Sequence, residues 1–141
     1  MSKLYMGFDA GTQSVKVAVY DEQFNCLTSH SLPTHLHYPQ PGWVEMSADE
    51  FLEITVKSMA ACAQSLREMG RDPKDVCAVM GDGIICGIVG VNPDGDAVTP
   101  YINYLDSRTT PDVEALNARE LEIWGRETGN PVASPMVPAM F

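Results

Sequence analysis

Basic residues are scarce in this chain of 141 residues: nine Lys and Arg stand against nineteen Asp and Glu, a formal net charge of −10. A nucleic-acid backbone or an anionic membrane surface calls for a field of the opposite sign, so neither is the expected partner. A small-molecule ligand suits the composition better. Long apolar runs are lacking too. The longest, GIICGIVGV at 83–91, is far short of the roughly 20 residues of a membrane span. Lys3, Asp9 and Lys16 stand among the apolar positions of the first twenty residues, so the uninterrupted apolar region of a secretory leader is not expected there. The chain reads as soluble and cytoplasmic. Its four cysteines, Cys26, Cys62, Cys77 and Cys86, form no CxxC pair, which argues for buried, reduced thiols over a disulfide frame or a zinc site.

What is present is enough apolar material for a core, with 45% hydrophobic residues at a length where roughly one domain is expected. Leu4 to Asp9 and Val15 to Tyr20 are short runs rich in Val, Tyr and Phe, and a third extended run lies near Leu27 to Leu36, so three strands with short turns are expected. Ser47 and Glu50 have capping-box spacing. A helix is expected to start there, with an apolar stripe at 52, 56, 59, 60, 63 and 66 and an end at Gly70. DVCAVMGD, IICGIVGVN and AVTPYINYLD read as further strands, the last two joined through a turn at 93–96. Thr110, Pro111 and Asp112 open a second helix running to Glu127, ahead of Gly129. The order βββ-α-β-β-β-α implies an α/β domain whose mixed sheet begins as an antiparallel meander.

The hexapeptide DAGTQS, at 9–14, interrupts two core strands with polarity. A turn of Gly and small polar residues points several backbone N–H groups into one concavity, and Thr12, Gln13 and Ser14 add side-chain donors, an arrangement suited to phosphate. Asp9 alone would repel that phosphate. It suits a hydrated Mg²⁺, which keeps several waters and needs only one or two carboxylates. Lys16 serves either the phosphates or the solvent, and an ordinary water-facing hairpin is the competing account of the loop.

GFDAGTQSVKVAVYD resembles the phosphate signature of the actin-like ATPase superfamily. YPQPGWVEMSADEF at 38–51 and VNPDGDAVTPYINYLDSRTTP at 91–111 resemble the PGWVE and D-x-x-G-x-P-L-x-P-x-I-x-W-x-D-x-R segments of the FGGY carbohydrate kinases. The three occur in family order and, together with the intervening helix, cover nearly the whole chain. The resemblance implies a ribonuclease H-like, actin-like ATPase domain, with residues 1–141 as the N-terminal part of the first kinase domain. It implies ATP and Mg²⁺, with Asp9 on the metal side through water and Gly11, Thr12, Gln13, Ser14 and Lys16 at the phosphates. It places Tyr104, Asp106 and Arg108 near the sugar, Tyr104 standing for the usual Trp. The alternative for Asp106 and Arg108 is a structural pair closing the strand-to-helix turn.

Two departures narrow the substrate. Where xylulose kinases read S-G-Q-M-H-G, this chain reads DGIICG at 82–87, losing polar groups that Asp82 is expected to replace. Met136 falls where glycerol kinases carry a tyrosine. Both departures weaken a glycerol assignment, and a ketopentose such as xylulose is the expected substrate. The alternative is a non-catalytic sugar- or nucleotide-binding module. Trp43 and Glu45 are read as structural, and no metal is assigned to His35 and His37. The catalytic base is expected beyond Phe141, so this chain by itself is expected to be inactive. The family also leaves room for a homodimer of the full-length protein.

Overall fold

Val15, Val17 and Val19 alternate with Ser14, Lys16, Ala18 and Tyr20, and alternation of this kind buries one face of a strand. The computed structural model describes residues 3–129, and in it all three valines are buried. They lie on β2 (Ser14–Tyr20), between β1 (Leu4–Ala10) and β3 (Cys26–Pro33). Both pairings are antiparallel, which gives the expected meander. Two short strands, β4 (Glu45–Met46) and β6 (Tyr101–Ile102), pair with each other. Between them in the chain come α1 (Ala48–Glu68), a 3-10 turn at Pro73–Asp75 and β5 (Val76–Gly83). The last element is α2 (Thr110–Thr128).

The chain divides into two compact units. The first runs to His35 and resumes over Asp49–Ile84; the second comprises Leu36–Ala48 and the residues from Ile85 on. In the first unit the sheet order is β3-β2-β1-β5, with β5 parallel to β1. A parallel neighbour requires a crossover, and α1 supplies it. The arrangement is the mixed α/β sheet that the sequence implied. Its core joins Leu4, Met6, Ala10 and the three valines to Ile54, Cys62 and Leu66 of α1.

The helix turns inward only part of the expected stripe: Leu66 is buried and Met59 packs against the core. Ile54, Ser58, Cys62 and Leu66 are buried, whereas Leu52 and Val56 are exposed. Steps of four residues keep one face of a helix inward, and this row passes through Ser58 and Cys62, which an apolar count undervalues. Cys62 Sγ donates to the Val17 carbonyl at 3.5 Å, and burial pushes its thiol pKa up. Of the other cysteines, Cys26 and Cys77 are exposed and Cys86 is intermediate, so only Cys62 is a fully buried thiol.

The expected strands between 84 and 100 reduce to isolated bridges, Ile88 with Ile102 and Val91 with Ala97. Gly87 and Gly90 weaken extended pairing, Pro100 offers no donor, and Cys86 has a φ of 64°, all of which interrupt a ladder. The turn over 93–96 does form, with Asn92 N–H donating to the Asp96 carbonyl at 3.0 Å. Thr110, the residue expected to cap and open α2, is already helical; the N-cap is Thr109, whose side chain makes no capping bond. Gly129 ends that helix in the left-handed region at φ 73°, where glycine carries no Cβ penalty.

Close packing makes Gly81 of β5 sensitive. A Cβ there would lie 2.0 Å from Cζ of Phe8 on β1. Gly81→Ala is expected to cost about 1–3 kcal/mol through displacement of the ring. A urea midpoint equal to that of the unaltered protein would show that the ring yields freely.

Candidate active site

In the β1–β2 turn the carbonyls of Gly11, Thr12, Gln13 and Ser14 all meet donors, while two of the amides meet no acceptor among the described residues. Gly11 N–H closes the turn on the Ser14 carbonyl at 3.0 Å. Thr34 N–H donates to the Gln13 carbonyl at 3.1 Å. The Thr34 hydroxyl lies 2.6 Å from the Thr12 carbonyl and 3.3 Å from that of Gly11. The amides of Thr12 and Gln13 donate to no acceptor among the described residues. Consecutive amides without a protein acceptor are the donors from which anion-binding nests are made.

Asp9 and Lys16 stand on the sheet face opposite α1, because they are register partners and alternate with the buried positions. Lys16 Nζ lies 3.8 Å from an Asp9 carboxylate oxygen, both side chains being more than half exposed. Asp82 is the register partner of Asp9 on β5, so the row across this face reads Asp82, Asp9, Lys16. The Asp82 carboxylate accepts its neighbour's amide, Gly83 N–H, at 2.8 Å. The same face carries a shallow concavity of about 620 Å³ lined by Gly7, Asp9, Lys16, Ala18 and Ser29 among others. Its breadth comes from Gly7, Ala18 and Ser29, small residues aligned in register.

In the second unit, Asp106 and Arg108 are heavily committed to partners within the protein. Asp106 is 2% exposed. One of its oxygens accepts Val44 N–H and Arg108 Nη2, each at 2.7 Å; the other accepts Arg108 N–H at 2.8 Å and Arg108 Nε at 2.9 Å. Burial opposes ionisation of this carboxyl, but the Arg108 side chain, with the Val44 and Arg108 amides, outweighs it and holds the pKa below the ordinary carboxylate value. Arg108 Nη2 also donates to Glu45 at 2.6 Å, and its guanidinium stacks over Trp43, 3.8 Å from the ring centroid. The GWVE and LDSR segments are thus clamped together, and Trp43 and Glu45 have the structural role expected of them.

Tyr104 is half-buried on the turn leading into this clamp. Asn103 beside it, fully buried, was not legible as important in the sequence: its N–H donates to the Val44 carbonyl at 3.0 Å and its Oδ1 accepts Leu105 N–H at 3.0 Å. The Tyr101 hydroxyl is buried without a partner among the described residues. Gly87 permits its approach, since a Cβ there would meet the hydroxyl at 2.0 Å. Ile85, in the apolar stretch of DGIICG, is 74% exposed. His35 pairs with Glu50 through a 2.6 Å contact. Met136 lies outside the described residues.

No helix among the described residues is long and apolar enough to cross a membrane. Residues 4–140 match the sequence profile of the FGGY family of carbohydrate kinases, N-terminal domain. A glycerol kinase of Geobacter sp. (strain M21) is 29% identical over 95% of this chain and 27% of its own length. A xylulose kinase of Staphylococcus xylosus is 24% identical over 77% of this chain and 22% of its own. Among solved structures, a xyloylose kinase from Brucella ovis superposes with a TM-score of 0.83 at 22% identity, over 94% of this chain and 27% of that one. The chain thus spans about a quarter of the length of these relatives.

Proposed function

Because the chain belongs to the FGGY family of carbohydrate kinases, we propose that it is the phosphate-binding N-terminal portion of an ATP-dependent kinase acting on a sugar hydroxyl, with a ketopentose such as xylulose as substrate. The observation that carries this reading is the pair of open amides at Thr12 and Gln13, in a turn whose carbonyls are occupied by Thr34 and Gly11. Such a turn favours an anion on the side of its open amides.

Gly11, Thr12, Gln13 and Ser14 receive the ATP phosphates, and Lys16 adds a positive charge two residues on. Asp9 fits Mg²⁺ through water: it is exposed, and its one charged partner among the described residues is a lysine at 3.8 Å. Bound there, Mg²⁺ would neutralise charge on the phosphate oxygens during transfer. Asp82, on the same sheet face as Asp9, accepts hydrogen bonds from sugar hydroxyls. Tyr104 offers the sugar a planar face. Asp106 and Arg108 act behind Tyr104 and hold the turn that carries it, since the four bonds accepted by Asp106 already come from protein groups. The proton acceptor for the sugar hydroxyl comes from outside residues 1–141, so these residues alone bind without transferring.

The test is ADP release by the whole encoded polypeptide with Mg·ATP and a panel of xylulose, ribulose, gluconate and glycerol. Release is expected with one sugar and not without it. ATP turnover indifferent to every sugar would sink the proposal. Exposed Ile85 in a loop without polar side chains favours a second reading, a binding module of the same fold. That module would show a ligand-induced rise in Tm and no ADP.

A further inference from the structure

We propose that Thr34 is a positioning residue for the phosphate loop, a role that rests on the nucleotide-binding reading of that loop. A turn can present its amides to an anion only if its carbonyl oxygens point elsewhere, because an oxygen facing a phosphate repels it. Gly11, Thr12 and Gln13 each have a carbonyl to dispose of, and Thr34 takes all three, its N–H holding Gln13 and its hydroxyl placed against Thr12 and Gly11. The hydroxyl has one proton, and the 2.6 Å contact with Thr12 is the principal bond.

Thr34 is well placed for this work. The β2–β3 ladder ends at the Ser14–Pro33 pair, and the bond from Thr34 to Gln13 continues it one step into the turn. Pro33 before it has a fixed φ. His35 after it is tied to Glu50 of α1 at 2.6 Å. Threonine is branched at Cβ and restricted in χ1, so the hydroxyl is held where the loop needs it. Nothing in the loop's own residues announces the partner, which lies 22 positions beyond Thr12.

Thr34→Val keeps the shape and removes the hydroxyl; Thr34→Ser restores it. Calorimetric titration of the whole polypeptide with Mg·ATP is expected to give a Kd about three- to tenfold weaker for Thr34→Val, the worth of one neutral hydrogen bond. Thr34→Ser is expected within about twofold of the unaltered protein. The KM for sugar is expected to stay unchanged in both, which a general loosening of the fold would not allow. Equal ATP affinity in Thr34→Val, or failure of Thr34→Ser to recover it, would overturn the role. If the unaltered protein binds no ATP, the loop reading falls and the role falls with it. If it binds ATP but transfers to no sugar, only the kinase reading fails, and the three affinities still decide the role of Thr34.

Discussion

Asp106→Ala is expected to destabilise the protein by about 3–5 kcal/mol, the usual loss when one partner of a buried ion pair is removed. The substitution strips four accepted hydrogen bonds at once. It also leaves Arg108, whose side chain is 20% exposed, with Glu45 as its remaining charged partner. Urea denaturation measures the loss, and a value below about 1 kcal/mol, typical of an exposed pair, would show that the clamp does not hold the second unit together.

The pH dependence has a definite sign. The folded pKa of Asp106 is lowered from the ordinary 3.8. The stability contributed by its carboxylate is therefore fully present above the unfolded value and lost as pH falls through the folded one. The stability gap between the unaltered protein and Asp106→Asn is expected to be flat above about pH 5 and to shrink in stronger acid. A gap that widened in acid would contradict the assignment.

Asp9→Ala is expected to do the reverse, sparing the fold and abolishing the chemistry. The Asp9 side chain is 56% exposed and its contact with Lys16 is 3.8 Å long, so stability should change by less than about 0.5 kcal/mol. If Asp9 holds the metal that neutralises the phosphates, kcat/KM for sugar-dependent ADP release in the whole polypeptide should fall by about 10²-fold or more. A fall smaller than about threefold, with an unaltered melting curve, would remove Asp9 from the metal site. The two substitutions thus separate a carboxylate that holds the structure from one proposed to serve the reaction, although both belong to short motifs that look equally functional in the sequence.

What the sequence by itself determined is local. β1 and β2 were legible because alternation and β-branching act residue by residue, and the DAGTQS turn because Gly and small polar residues have turn chemistry wherever they stand. The end of α2 at Gly129 followed from the same kind of signal. The motifs PGWVE and YLDSR were visible as motifs, but the tertiary structure joined them, through a bond between Arg108 and Glu45 that spans 63 positions. Pairing at that distance depends on how the elements are connected, which no local propensity encodes. The buried face of α1 was legible only in part, at Met59 and Leu66, because Ser58 and Cys62 also lie inward, where the sheet asks for small volume as much as for apolarity. The strands expected over 84–100 failed because strand formation needs an aligned partner, and left-handed Cys86, the glycines and Pro100 prevent a continuous one. Thr34 has no signature at all in the sequence. Only the ladder between β2 and β3 brings it to the loop whose carbonyls it holds.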